Sequence, residues 1–240
     1  MKHIPSKVLS LLLSLTLLSG LCTLPTQAAE SGYTDTQGHW AETAIQRWSD
    51  YGIIQGNNGE FSPDAPLTRA QMAAILSRLL VLPEAKSAGF ADVAENAWYA
   101  DAIDRCHAVG IMQGNEGKAM PDMSVTREQA VTMLCRALSI EPVENADLSI
   151  YADGSKVSGY AAGYLAAMVQ NGMVKGTDAN TLSPTDSITR AAVVTILDRV
   201  IAVYANKDGE TIDAAKANGL ILIAAKNVTV KNAPKGTSVL

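Results

Sequence analysis

Apolar positions along the chain fall into two regular patterns separated by Gly- and Pro-punctuated loops, and this pair of patterns occurs three times. The first pattern is Trp40, Ala44, Ile45 and Trp48; it returns as Trp98, Ala102, Ile103 and Cys106, and again as Tyr160, Tyr164, Leu165 and Met168, always at i, i+4, i+5, i+8. Such a period predicts an amphipathic helix with one buried face. Trp40, Trp98 and Tyr160 therefore read first as the start of a core stripe, with a ligand platform as the alternative use of these aromatics. Gly52, Gly110 and Gly172 follow the stripes and supply the left-handed backbone that closes a helix. The second pattern is Met72, Ile75, Leu76 and Leu79, matched by Ala130, Met133, Leu134 and Ala137 and by Val193, Ile196, Leu197 and Val200. Thr68 with Gln71, and Thr126 with Gln129, have capping-box spacing ahead of it, whereas Thr189 faces Ala192 and lacks the reciprocal partner. Phe61, Met120 and Leu182 are expected to anchor the loops between the helices, as a short strand or turn.

The copies keep their spacing. Trp40, Trp98 and Tyr160 precede Gly56, Gly114 and Gly176 by 16 residues each, and Pro63, Pro121 and Pro184 precede Arg69, Arg127 and Arg190 by six. Internal repetition of this kind marks a mainly α chain of three helix-loop-helix units, expected over 33–81, 90–140 and 151–205. Cys106 lies on a core stripe, while Cys135 aligns with the polar Ser77 and Asp198, so the two thiols are expected in different surroundings and free of one another.

The N-terminus changes what compartment the repeats are expected in. Lys2, His3 and Lys7 precede the apolar run Val8 to Leu18, and Thr26-Gln27-Ala28-Ala29 offers small residues for cleavage, the layout of a secretory signal peptide over 1–28. The apolar run is shorter than the roughly 20 residues a spanning helix needs. A lipid anchor on Cys22 is the alternative, disfavoured by Leu21 at the position where lipoprotein cleavage needs a small residue. Of 240 residues, 48% are hydrophobic, with 19 Lys and Arg against 24 Asp and Glu. Loss of Lys2 and Lys7 with the signal leaves 17 basic residues against 24 acidic, a net charge of −7. That balance argues against nucleic acid as a partner. The 3 cysteines are too few for a disulfide framework, and none has zinc spacing.

Candidate chemistry concentrates on three arginines. Arg69, Arg127 and Arg190 each follow the expected N-cap threonine, where a cation meets the positive end of the helix dipole at a typical cost of about 0.3 to 1 kcal/mol. Three copies of that choice ask for a compensating group. One is an anionic ligand gripped by the guanidinium and by free N–H groups of the helix start, with Gly56, Gly114 and Gly176 letting it approach the backbone. The other is a nearby acid, from the series Asp35, Asp92 and Asp153, tying loop to helix.

These units resemble S-layer homology domains. The residues that carry the likeness are Tyr33-Thr34-Asp35, Trp40-Ala41, Gly52-Ile53-Ile54-Gln55-Gly56, Phe61-Ser62-Pro63-Asp64 and Thr68-Arg69-Ala70-Gln71 with their counterparts, over about Tyr33 to Val203. Departures are Gln71, Gln129 and Ala192 at the usual Glu, Tyr160 for Trp, and Thr185 for Asp. The resemblance implies a pseudo-threefold assembly with grooves between repeats and noncovalent attachment of an exported protein to the cell wall, commonly through secondary wall polysaccharides bearing a pyruvate ketal. It carries Arg69, Arg127 and Arg190 over as carboxylate-binding residues, with Gly56, Gly114 and Gly176 beside them. Other peptidoglycan-associated polymers are alternative partners, and lateral self-assembly is compatible with the family. A helical-repeat module binding another surface protein, or the anchoring part of a wall-processing enzyme, are the rival functions.

From Thr211 the character changes. Leu220 to Ala224 and Val228 to Val230 read as short strands in a 210–240 tail below the size of an independent core. It is expected to pack on the repeats, stay disordered, or begin a larger domain. No G-x-S-x-G, H-E-x-x-H or Walker motif is present, and the Asn57-Asn58-Gly59-Glu60 stretch lacks the spaced acids of a calcium loop. Neither catalytic residues nor a metal or other cofactor is expected.

Overall fold

The structure, a computed structural model, describes residues 32–177 and 180–240; the signal-peptide segment lies outside them. Six helices carry the two apolar patterns: α1 (Glu42–Asp50), α2 (Arg69–Leu79), α3 (Ala100–Ala108), α4 (Arg127–Ala137), α5 (Gly159–Gln170) and α6 (Arg190–Val200). Their partners are not the ones nearest in sequence. Helix α2 packs on α3, α4 on α5, and α6 returns to α1, so each two-helix layer joins the second helix of one repeat to the first helix of the next. The ring closes on itself with pseudo-threefold symmetry, and no repeat completes a core alone.

Three short extended segments form the hub of that ring. The N–H of Leu67 donates to Ile188 O at 2.9 Å, that of Ile188 to Val125 O at 3.0 Å, and that of Val125 to Leu67 O at 2.8 Å. All three side chains are buried, which makes this cycle of backbone bonds a dry, cooperative junction. Directly after it, Thr68, Thr126 and Thr189 cap α2, α4 and α6. The first two complete capping boxes with Gln71 and Gln129, while Thr189 accepts only the Ala192 N–H.

The second-helix stripes are buried as the period predicts, from Met72 and Leu76 through Leu134 to Val193 and Leu197. In the first helices the interior of the stripe holds, with Trp48, Cys106 and Met168 all excluded from solvent, but its first member does not. Trp40 is 65% exposed, Trp98 66% and Tyr160 50%. Trp40 and Trp98 precede α1 and α3, which begin at Glu42 and Ala100, and Tyr160 lies in the first turn of α5. The core reading of these aromatics is therefore corrected: Trp40 and Trp98 stand outside the stripe because helical spacing does not extend back to them, and Tyr160, although inside α5, is half-exposed with its hydroxyl held by Glu128.

Two smaller expectations also change. The loop anchor of the second repeat is Ala119, fully buried, and not Met120, which is half-buried and takes a positive φ of 54°, as Ser62 (57°) and Ser183 (50°) do at the same place in their repeats. Cys135 is buried like Cys106: beside Val131, Thr132 and Leu134 it sits on the covered side of α4, where the equivalent Ser77 and Asp198 are only half-buried. Both thiols are free, and burial pushes each up to about 12.

The tail packs on the repeats. Strand β1 (Ile201–Ala205) continues directly from α6 and pairs in parallel with β3 (Leu220–Ile223); β2 (Thr211–Asp213) pairs in parallel with β4 (Thr229–Lys231). Tyr204 sits in the core against Trp48 and Tyr51, and its hydroxyl donates to Leu79 O at 3.0 Å. Arg47 adds a 2.7 Å ion pair with Asp198 and donates to Ile201 O and Ala202 O. Tyr204→Phe removes one buried bond while keeping the ring, so a loss of about 1 kcal/mol is expected in chemical denaturation. Among the described residues no helix is long and apolar enough to cross a membrane.

Candidate functional site

The helix N-termini that carry Arg69, Arg127 and Arg190 are already occupied. Each arginine's own N–H and that of the following residue donate to carbonyls of the next repeat around the ring: Arg69 to Met123 and Ala70 to Pro121, Arg127 to Asp186 and Glu128 to Pro184, Arg190 to Ala65 and Ala191 to Pro63, at 2.9 to 3.0 Å. The third donor of each helix goes to its threonine cap. No set of free N–H groups remains there to receive an anion.

The guanidiniums themselves reach across the same boundary. Arg69 Nε donates to Ala119 O and its Nη2 to Gln113 O, both at 2.7 Å; Arg190 does the same with Phe61 O and Gln55 O; Arg127 Nη2 donates to Lys175 O. Arg190 also lies 4.3 Å over the Phe61 ring. Burial pulls the pKa of each below its usual value. Nearby Asp92 offsets this for Arg69, and Arg199 adds to it for Arg127. Arginine nonetheless remains a cation. These bonds compensate the unfavourable dipole: each arginine is a clasp between consecutive repeats, complete at Arg69 and Arg190 and partial at Arg127, whose Nε is buried without a partner.

The acidic series does something else. Asp35, Asp92 and Asp153 make no ion pair with the arginines among the described residues. Each carboxylate instead accepts two backbone N–H groups in its own repeat's loop: Phe61 and Ser62, Ala119 and Met120, Leu182 and Ser183, at 2.6 to 2.8 Å. Burial alone raises these pKa values, but the N–H bonds outweigh it and all three fall below 3.8. A depressed folded pKa gives stability that is complete above the unfolded value and is lost as pH falls through the folded one. Unfolding followed from pH 6 to pH 2 should therefore show a flat stability down to about pH 4, then a decline that is weaker in an Asp92→Asn variant.

Gly56 and Gly114 are fixed by close approach. A Cβ on Gly56 would overlap the Tyr33 ring and the Glu60 carbonyl, and one on Gly114 the Phe90 ring and the Lys118 carbonyl. The aromatic opening the first repeat and that opening the second thus each pack on their repeat's loop glycine.

Two grooves run along these loops. The first, about 510 Å³, brings together Gly56, Arg78, Trp98 and Arg190. The second, about 370 Å³, brings together Gly114, Arg136, Tyr160 and Arg69. The composition rule is the same in both. A loop glycine and a second-helix arginine come from one repeat, the motif arginine from the repeat before it around the ring, and the aromatic from the repeat after it. Four of the six sequence-expected residues are therefore gathered into grooves. Arg127 stands in the electrostatic reach of Arg199, while Gly176 borders a loop whose residues 178–179 lie outside the description. Each groove brings together two arginines and an exposed aromatic face, which suits a sugar ring carrying an anionic substituent. The loop glycine lines it, but the space its missing Cβ leaves is taken by the same repeat's aromatic, so the expectation that it admits a ligand to the backbone is corrected.

Sequence reasoning missed Arg78 and Arg136, and placed the outward use of the aromatics second to a core role. A signal existed: Arg78, Arg136 and Arg199 each follow the motif arginine by nine residues.

Comparison with known proteins gives a consistent result. A family model described as the S-layer homology domain matches residues 32–73, 89–131 and 150–194. The chain is 35% identical over 209 residues to the Surface-layer 125 kDa protein of Lysinibacillus sphaericus, covering 84% of this chain and 17% of that protein. It is 30% identical to an amylopullulanase of Thermoanaerobacterium thermosulfurigenes, covering 69% of this chain and 9% of the enzyme. With exoglucanase XynX of Acetivibrio thermocellus it shares 28% identity, over 69% of this chain and 16% of the enzyme. The chain thus spans less than a fifth of the length of these relatives.

Proposed function

The chain belongs to the S-layer homology family, and on that premise we propose that it is a noncovalent cell-wall anchoring module whose grooves bind an anionic, pyruvylated secondary wall polysaccharide. Family and relatives together place it at the cell surface. The observation that carries the ligand reading is the repeated grouping of two arginines with an exposed aromatic and a loop glycine, once at Gly56 and once at Gly114. A ketal carboxylate supplies the charge for the guanidiniums, and the sugar ring supplies the apolar face for Trp98 or Tyr160. Gly176, Arg127 and Arg199, with Trp40, complete a third groove by the same rule.

The work of such a site is recognition, without bond making. The relatives named as polysaccharide-degrading enzymes match this chain over a small share of their length, which fits an anchor attached to a separate catalytic part. Units for the repeats are 33–81, 90–140 and 151–205, with the 210–240 tail bound to their core.

Titration of the full chain with purified wall polymer tests the reading. Saturable binding is expected with intact polymer, and its loss is expected after mild acid removes the ketal. Equal binding to both preparations would reject the carboxylate as the recognised group.

A further inference from the structure

The two best-defined grooves differ at a pair of positions that depart from the repeat pattern together. Where the second residue of the capped helix is Ala70 in the first repeat and Ala191 in the third, the second repeat has Glu128. Where the groove aromatic is Trp40 or Trp98 in the other copies, the third repeat has Tyr160. These departures touch each other. Glu128, 5% exposed at the start of α4, accepts the Tyr160 hydroxyl at 3.0 Å. It also accepts the Ser158 N–H at 2.9 Å and the Ser158 hydroxyl at 2.7 Å. Ser158 is the N-cap residue of α5 and makes no side-chain cap of its own, so Glu128 caps that helix from the neighbouring repeat.

Two consequences follow for the groove. The phenol proton is committed to Glu128, which leaves the Tyr160 oxygen with only lone pairs to offer a ligand. A carboxylate also stands at the hydroxyl end of the groove aromatic, and the charges of Glu128 and of Arg136 both act on that phenol. In the first groove the corresponding pair is Ala70 and Trp98, whose indole N–H is a donor and which has no acid behind it.

We propose that Glu128 is a specificity-determining residue of the second groove, positioning Tyr160 as a hydrogen-bond acceptor for a sugar hydroxyl and weakening that groove's hold on a carboxylate relative to the first. The two grooves are then unequal sites: the first takes the more anionic sugar unit, the second a more hydroxyl-rich one. This rests on the groove reading given above. A like charge on the far side of the groove aromatic, acting through a partly solvated site, changes affinity by about threefold to tenfold.

The test is an NMR titration of the full, isotope-labelled chain with a methyl hexoside bearing a pyruvate ketal. The Gly56 and Gly114 amides report the two grooves separately, and the ketal-free hexoside serves as control. Wild type is expected to bind the probe more tightly at Gly56 than at Gly114. Glu128→Gln, which keeps the shape and removes the charge, should tighten binding at Gly114 by about fivefold, leaving Gly56 and the ketal-free control unchanged. The Glu128→Ala, Tyr160→Trp double variant, built from residues this chain uses at the equivalent positions, should bring the two grooves within about twofold of each other. An unchanged dissociation constant at Gly114 in both variants, with normal titration at Gly56, overturns the proposal. A probe that moves neither amide in wild type rejects the anionic-ligand reading itself and the proposal with it, so the two failures are told apart by wild type alone.

Discussion

Arg69→Ala is expected to lower the unfolding free energy by about 3 kcal/mol, because two charge-assisted bonds to carbonyls are lost and the Ala119 oxygen is left in a buried site. The side chain is 6% exposed, so water does not readily replace it. The effect spreads beyond one helix. Arg69 follows the hub residue Leu67, and its own N–H and guanidinium all hold the second repeat. Arg78→Ala provides the contrast: Arg78 is exposed and its recorded bond, to Ile53 O, is 3.5 Å long, so a loss under about 0.5 kcal/mol is expected. Denaturant midpoints of the two variants measure both numbers. Equal, small losses would show that the clasp is not what holds the repeats together.

The second large effect concerns binding. If two grooves engage neighbouring units of one polymer, the second contact is intramolecular and raises avidity by about 10² to 10⁴. Disabling one groove at its exposed residues, with Arg78→Ala and Trp98→Ala together, is therefore expected to weaken attachment to wall polymer by about 10²-fold while leaving the melting temperature nearly unchanged. This pair serves better than the motif arginines. Arg69, Arg127 and Arg190 carry structure and ligand contact in one side chain, so their removal mixes the two losses. Attachment retained in the double variant would place binding outside the first groove.

The helices, their caps and their glycine stops were legible because each is set by local sequence: a 3.6-residue period, a threonine three places before a glutamine, a glycine at positive φ. Their pairing was not legible. Period says that a face is buried, and says nothing about which helix covers it. Here the covering helix belongs to the next repeat. The hub cycle of Leu67, Val125 and Ile188 was hidden for the same reason, since it consists of backbone bonds between segments about sixty residues apart. The same ring closure explains why the motif arginines tolerate their position: the carbonyls of Pro63, Pro121 and Pro184, and those of Ala65, Met123 and Asp186 two residues on, take up the N–H groups that an open helix end would offer to an anion. The site was half legible. Gly56, Gly114, Arg69 and Arg190 were marked by recurrence, whereas Trp98 and Tyr160 were absorbed into a core stripe because one more member fitted the count. A recurring arginine nine residues beyond each motif arginine carried the missing groove residues, on a helix face that periodicity treats only as solvent-facing.

The tail shows the same limit from another side. Leu220 to Ala224 and Val228 to Val230 were readable as short strands and fall within a residue of β3 and β4, but β1 was not, because Ile201–Ala205 continues an apolar helix without a break. Its strand character comes from its parallel partner β3 and from Tyr204 seated on Trp48, both tertiary facts.

The measurement that tests the anchoring account most directly is cosedimentation of the full chain with purified cell walls, before and after chemical extraction of the non-peptidoglycan polymer. The account predicts sedimentation with intact walls, competition by free polymer, and loss of binding from extracted walls. Undiminished binding to extracted walls, or none to intact ones, would contradict it.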